Sequence, residues 1–292
     1  LYIRKAIPEE SIMPELPEVE TVRVALANAT SGGVVRSVET SGKVMRWPIP
    51  GHLPDVMAGA SIRGYRRRGK YILMDIEAKA GMKDRAEHQP LVVLIHLGMS
   101  GSVRIHPAGM KPGNEKHDHL IMTMADNQRV VLNDPRRFGG VALMTPREEP
   151  GHKLLSAMGI EPLGNSLSGA FLKDAMQSKK TSIKASLLDQ RIIAGIGNIY
   201  ASEALFMAGI NPRRQAGRIS TSRLDLLAGS ICKVLEEAIM AGGTSLRDHV
   251  QPGGEIGYFA QQLAVYGREG EGCPQCSAPI RMIRQTGRAS FY

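Results

Sequence analysis

Apolar positions along the chain change their spacing twice. Val19, Val22 and Leu26 recur at three- and four-residue intervals with alanines between them, which predicts a helix over residues 18–30, opened by Pro17 and stopped by Gly32-Gly33. From residue 34 to about 144 the texture shortens. Apolar or β-branched runs at 34–38, 71–76, 91–97, 103–105, 120–124, 130–132 and 141–144 alternate with turn residues and predict an antiparallel sandwich or barrel. Residues 145–151, Thr-Pro-Arg-Glu-Glu-Pro-Gly, form a polar, proline-bounded linker. Beyond it helical spacing returns at 168–178, 182–188, 198–208 and 220–241, with Ser168, Asn198 and Ser220 as expected N-caps. A glycine-rich loop over 251–258 and a short cysteine-bearing tail follow.

Composition narrows the class. A chain of 292 residues holds one large or two ordinary domains. With 37 Lys and Arg against 28 Asp and Glu, a net charge of +9 and a pI near 9.6, it suits a polyanionic partner. The longest apolar candidate, 91–97, is strand-length and contains His96, far short of the roughly 20 residues a membrane span needs. Residues 1–12 lack the apolar segment of a secretory signal. Three cysteines are too few for a disulfide framework, which points to a reducing cytoplasm.

Several motifs carry chemistry. Met13-Pro14-Glu15-Leu16-Pro17-Glu18 would leave Pro14 as the N-terminus if translation starts at Met13, with residues 1–12 an artefact of the assigned gene start. A free α-amino group has a pKa of about 7.7–8.0, so a useful fraction is uncharged at neutral pH and able to attack an aldehyde-level carbon. Glu15 would be the general acid and base beside it, although a proline pair at a helix entry is also ordinary structure. The run Arg63 to Lys70 places five cations in eight residues and is most simply explained by phosphate contacts, or else by a solvated hairpin. His96-Leu-Gly-Met99-Ser-Gly and Asn133-Asp-Pro-Arg136-Arg-Phe138-Gly-Gly read as two tight loops. Their Met and Phe suit wedges between bases, while gap-filling in a core is the plainer use of a methionine. Lys116-His117-Asp118-His119 reads as a polar loop with His117 as a phosphate donor rather than as a metal site. Gly195-Ile-Gly197-Asn198 starts a helix whose free N–H groups, with Lys179, Lys180 and Lys184 nearby in sequence, would bind phosphate. Cys273-Pro-Gln-Cys276 resembles half of a zinc ribbon, but a structural zinc needs four ligands and two thiolates alone should not hold it firmly, so by themselves the pair reads as two free thiols on a turn.

Together these motifs, with Arg68-Gly-Lys70-Tyr, Gly197-Asn-Ile-Tyr-Ala-Ser-Glu, Gly257-Tyr258-Phe-Ala and the final Arg284-Gln-Thr-Gly-Arg288-Ala-Ser-Phe-Tyr, resemble the bacterial formamidopyrimidine-DNA glycosylases across nearly the whole chain from Met13. The resemblance implies an α+β fold: a leading helix and N-terminal β-sandwich (14–145), a linker (146–162), a helix–two-turn–helix domain (163–250), a lesion-capping loop and connection (251–264), and an incomplete zinc-finger hairpin (265–292), after a non-native extension (1–13). It implies excision of oxidised purines, a Schiff base at Pro14, proton transfer by Glu15, β-elimination helped by Lys70 and δ-elimination helped by Arg288. Damaged double-stranded DNA would be the partner, met by a monomer at the nucleoid in the cytoplasm, with no membrane contact. Met99, Arg136 and Phe138 would fill the gap left by the extruded nucleotide, His117, Arg136, Lys179 and Asn198 would hold DNA, and Tyr258 would close over the base. One structural zinc is implied, with Cys273 and Cys276 as two of its four ligands and the second pair expected after Tyr292. A pyrimidine-directed enzyme of the endonuclease VIII type shares the fold and nucleophile, but Leu16 and the Arg136–Phe138 tip favour the purine enzyme. A DNA-binding protein without catalysis would keep the basic loops alone.

Overall fold

The structure is a computed structural model and describes residues 14–79, 88–110, 115–244 and 262–292. Helix α1 (Leu16–Thr30) leads into eight strands and one short helix: β1 (Val35–Thr40), α2 (Leu53–Met57), β2 (Ser61–Arg68), β3 (Tyr71–Lys79), β4 (His88–His96), β5 (Ser102–His106), β6 (Asp118–Met124), β7 (Arg129–Asn133) and β8 (Gly140–Met144). They form two antiparallel four-stranded sheets, ordered β2-β3-β4-β8 and β1-β6-β7-β5. Inward residues such as Val35, Ile62, Ile72, Val93, Val103, Met122 and Leu132 fill the space between the sheets. This is the expected sandwich, with one strand the apolar pattern did not give. β2 shows the core only Ile62 and Tyr65 and carries arginines outward.

Helix α1 joins the two halves of the molecule. Val19, Val22 and Leu26 sit in the sandwich core, whereas Leu16 sits in the core of the helical domain. The head of α1 therefore lies in the crease between the domains. The helical domain contains α3 (Gly169–Met176), α4 (Ile183–Leu187), α5 (Asn198–Met207) and α6 (Thr221–Met240). In α6, Leu224, Leu227, Ile231, Val234, Leu235 and Ala238 recur at three- and four-residue spacing and are all buried. Ser168 caps α3, its hydroxyl accepting the Phe171 N–H at 3.1 Å. The N-cap of α5 is Gly197 rather than Asn198, and Ser220 precedes α6 without a side-chain capping bond.

The chain ends in a hairpin, β9 (Met282–Gln285) and β10 (Arg288–Phe291). Its two-residue turn has Thr286 at φ 47° and Gly287 at φ 78°, the left-handed pair that matches strand twist. Lys184, expected to meet phosphate, is buried instead, and its ammonium donates to the Ala289 carbonyl at 2.7 Å, tying α4 to this hairpin. Phe291 packs edge-on against Tyr266, with ring centres 5.0 Å apart. Among the described residues no helix is long and apolar enough to cross a membrane.

The basic run also needs correction. Arg66 donates to Asp75 and Glu149, Arg67 to Glu20 and Glu161, and Arg68 to Glu161, while Arg63 pairs with Glu77. These cations are neutralised by the protein's own carboxylates. Arg66, Arg67 and Arg68 fasten the sandwich to the segment that links the domains, so pairing within the protein accounts for their clustering without a phosphate.

Candidate active site

A cleft of about 500 Å³ opens between the domains. Glu15, Arg46, Lys70, Tyr71, His96 and Met99 line it from the sandwich side, and Gln190, Arg191, Gly197, Asn198, Tyr266 and Arg288 from the helical side. Pro14 is buried at the head of α1, next to Glu15.

Glu15 is 2 % exposed, and its carboxylate accepts the Ile199 N–H at 3.0 Å and the Tyr200 N–H at 3.4 Å. The N-terminus of α5, expected to hold a phosphate, is thus occupied by the protein's own acid. Gly197 permits this approach, since a Cβ there would sit 2.2 Å from Glu15 Cδ. Leu16 N–H donates to Gly195 O at 3.1 Å and locks the head of α1 to the same turn. Burial raises the Glu15 pKa to about 7; the Lys70 charge and the two amides oppose the rise, and Glu18 adds to it. At neutral pH the carboxyl is therefore poised between acid and base.

Glu18 stands one turn along. Its carboxylate accepts the Glu15 N–H at 2.9 Å, the Tyr200 hydroxyl at 2.6 Å and the Thr244 N–H at 2.8 Å. Burial pushes the Glu18 pKa up, partly offset by the Tyr200 hydrogen bond. Glu203, on α5, gathers the N–H groups of Ala264, Val265 and Tyr266 at 2.8, 3.0 and 2.8 Å. These two acids hold the walls of the site.

Lys70 follows the β2–β3 turn and is buried. Burial pulls its pKa down, Arg288 assists, and Glu15 opposes. The turn is pinned from the linker side: Glu161 accepts the Gly69 N–H at 2.7 Å, Arg68 at 2.9 Å and Arg67 at 2.6 Å. Arg288 reaches the same cleft from the first residue of β10. The predicted Glu15, Lys70 and Arg288, far apart in sequence, are brought together.

Met99 lines the cleft on a loop that is locked to the loop carrying Arg136 and Phe138. The buried Asp134 carboxylate accepts Ser100 Oγ at 2.6 Å and the Gly139 N–H at 2.8 Å. Gly98, at φ 69°, lies so near that a Cβ would stand 2.3 Å from the Gly139 nitrogen. Phe138 is 42 % exposed with the Arg136 guanidinium 4.8 Å above its ring. Arg137 beside it has φ 57°, uncommon for a residue with a side chain and often a mark of function.

The other predicted DNA contacts divide. Asn198 lines the cleft, its amide donating to the Tyr266 hydroxyl at 3.3 Å and its Oδ1 buried without a partner. His117 lies outside the cleft lining, on the turn before β6, where its carbonyl accepts the Asp134 N–H at 2.9 Å. Lys179 also lies outside it, 3.7 Å from Asp189. Tyr258 and the 251–258 loop fall outside the described residues. Beside His117, His119 is a satisfied core histidine, bonded to Ser41 at 2.9 Å and the Asp134 carbonyl at 3.0 Å.

Residue-by-residue reasoning gave no role to His96, Arg46 or Tyr266. His96 is buried, and burial, with the Arg46 charge, lowers its pKa to about 4, so the ring is neutral at physiological pH. Its Nδ1 has no partner. A buried polar residue closing an apolar strand was the available signal.

Cys273 and Cys276 sit on a tight turn at the base of the hairpin. The Gln275 and Cys276 amides point at the Cys273 sulfur and lower its pKa, the electrostatics a thiolate metal ligand requires. The pair fits zinc in kind. Among the described residues, however, no three His, Cys, Asp or Glu side chains form a metal-binding group, so two donors of a closed tetrahedral site are wanting.

Comparison with known proteins follows the same lines. A family described as the formamidopyrimidine-DNA glycosylase N-terminal domain matches residues 13–141, and the formamidopyrimidine-DNA glycosylase H2TH domain matches 158–250. Formamidopyrimidine-DNA glycosylase of Ruegeria pomeroyi is 45 % identical over 288 residues, covering 96 % of this chain and 98 % of the relative. That of Azorhizobium caulinodans is 42 % identical over 301 residues, with the same coverage of both. Among solved structures, Lactococcus lactis Fpg in complex with abasic-site DNA superposes with a TM-score of 0.82 at 31 % identity, over 95 % of this chain and 97 % of that one. The same enzyme with DNA containing N7-benzyl-Fapy-dG gives 0.83 at 32 % identity, over 96 % and 97 %.

Proposed function

The chain belongs to the formamidopyrimidine-DNA glycosylase family, and from that premise we propose that its interdomain cleft removes oxidised purines from double-stranded DNA and then cleaves the strand. The protein is a base-excision-repair glycosylase of a family with AP lyase activity. The observation that carries the mechanism is the Glu15 carboxyl, buried beside Pro14 and suspended from the α5 N-terminus with its pKa near 7.

With a mature chain beginning at Pro14, the imino nitrogen attacks C1′ of the damaged nucleotide. The N–C1′ bond forms as the glycosidic C1′–N bond breaks, and the electron pair leaves with the base, which takes up a proton. Glu15 supplies and recovers protons as the sugar ring opens to an iminium. Loss of a C2′ proton then expels the 3′ phosphate, a β-elimination in which Lys70 is the neighbouring group with a lowered pKa. Arg288 faces the leaving phosphate of the δ-elimination that follows. Met99, Arg136 and Phe138 fill the vacated space in the duplex, which must be emptied for C1′ to be reached. Asn198 binds the strand in the cleft, and His117 and Lys179 bind it outside the cleft. Cys273 and Cys276 would supply two of the four donors of a structural zinc at the foot of the hairpin that carries Arg288.

The test is cleavage of a duplex carrying a single 8-oxoguanine. The expected products end in phosphate on both sides of a one-nucleotide gap. Tight binding that leaves the strand whole would establish a binder and refute the enzyme.

A further inference from the structure

Among the described residues Arg46 is a cation without a counter-ion. It lines the cleft beside Lys70, Tyr71 and His96, and its side chain makes no hydrogen bond or ion pair with any of them. That sets it apart from Arg66, Arg67, Arg68, Arg104 and Arg191, each held by a carboxylate. Its backbone, by contrast, is fixed. The Arg46 N–H donates to Gly139 O at 2.9 Å, and Met45 before it is buried in the sandwich core. Trp47 after it donates Nε1–H to Val141 O at 2.9 Å and stacks 6.1 Å from the His96 ring. The Trp47 ring occupies the space a Cβ on Gly140 would take, 2.4 Å away. The Arg46 charge is felt in the cleft, where it adds to the lowering of the His96 pKa by burial and opposes the rise that burial gives Tyr71.

We propose that Arg46 binds a backbone phosphate of the damaged strand on the sandwich wall of the cleft. This rests on DNA being the ligand of that cleft. The acid of the cleft, Glu15, is already engaged by α5, and Lys70 and Arg288 add positive charge. Among the described residues no carboxylate pairs with Arg46, and DNA supplies an anion on every nucleotide. An exposed guanidinium on a hydrogen-bonded backbone is suited to this contact, which fixes register without reading sequence.

Binding of the full-length chain to a fluorescent duplex with a stable abasic analogue, read against salt, tests this. Each neutralised phosphate contributes about 0.9 to the slope of log affinity against log salt. Arg46→Gln is expected to flatten the slope by about 0.9 and weaken binding about fivefold at 150 mM salt, whereas Arg46→Lys keeps the wild-type slope. A methylphosphonate scan of the damaged strand should find one phosphate whose neutralisation weakens the wild type and leaves Arg46→Gln unmoved. An unchanged slope in Arg46→Gln overturns the proposal, whether or not that variant melts early. So does a loss that Arg46→Lys fails to restore, which would indicate bidentate reading of a base edge. The same titration with undamaged duplex tests the underlying reading separately: if the wild type shows no preference for the damaged duplex, the repair function is in question, not the contact made by Arg46.

Discussion

Replacing Gly197 by alanine should damage catalysis far more than so small a change suggests. Gly197 has φ −131°, which alanine adopts without strain, so the effect is steric. The added Cβ would stand 2.2 Å from Glu15 Cδ and 2.3 Å from Oε1, against an ordinary contact of 3.4 Å or more. Glu15 must retreat by about 1 Å, and the bonds from Ile199 and Tyr200, now 3.0 and 3.4 Å, lengthen beyond use. A displacement of about 1 Å at a reacting group costs roughly a hundredfold in rate. Hydrogen bonds to a charged group are worth about 1.5–3 kcal/mol each, so losing one lowers stability by about that much and losing both by up to about 6 kcal/mol. Single-turnover excision of 8-oxoguanine, with thermal melting alongside, measures both. Gly229→Ala is the control: it lies within α6 with nothing within 4 Å of the new methyl, and helix propensity predicts a gain of about 0.5–1 kcal/mol with activity unchanged. Wild-type turnover in Gly197→Ala would refute the placement of the acid on the α5 N-terminus.

Other outcomes follow from the same geometry. The Glu15 pKa is higher in the folded state than in the unfolded chain, so its contribution is fully present below about pH 4.5 and is lost as pH rises through about 7. The stability difference between wild type and Glu15→Gln should accordingly move against the wild type by up to about 3 kcal/mol between those limits, read by melting across pH; a flat difference would contradict a raised pKa. Gly98→Ala puts a methyl 2.3 Å from the Gly139 nitrogen at a left-handed φ, and should separate the Met99 loop from the Phe138 loop, lowering lesion affinity at least tenfold in a binding titration. Glu161→Ala strips three donors of their acceptor at the turn before Lys70; a loss of about 2–4 kcal/mol on denaturation and a slower strand-cleavage step on a preformed abasic site are expected.

The apolar spacing made the architecture legible where burial is one-sided. Leu224, Leu227 and Ile231 announce α6, and the runs at 91–97 and 120–124 announce β4 and β6. β2 was hidden because its outward face is almost entirely arginine and only Ile62 and Tyr65 face the core. The purpose of those arginines is illegible for a second reason: Glu20, Glu149 and Glu161 are distant in sequence, and Asp75 and Glu77 become partners only once β2 is seen to pair with β3. The Gly195–Asn198 helix start reads in sequence as a phosphate site, and in the fold its free N–H groups are taken by a carboxylate instead. The anion proved to be Glu15, some 180 residues away, because sequence alone cannot weigh an internal carboxylate against an external phosphate. The Met99 and Phe138 loops were legible as a pair, since the glycines that let them interlock stand within the motifs themselves. His96 and Arg46 were not, because an unpartnered atom becomes visible only when its neighbours are known.

The central claim is that the nitrogen of Pro14 forms the covalent bond to the damaged sugar. Borohydride reduction of the protein on an 8-oxoguanine duplex, followed by digestion and mass mapping of the cross-linked peptide, tests it directly. The account predicts one adduct, on a peptide whose first residue is Pro14, with the reduced sugar on its imino nitrogen. An adduct on Lys70, or on a peptide in which Pro14 is still joined to Met13, would contradict it.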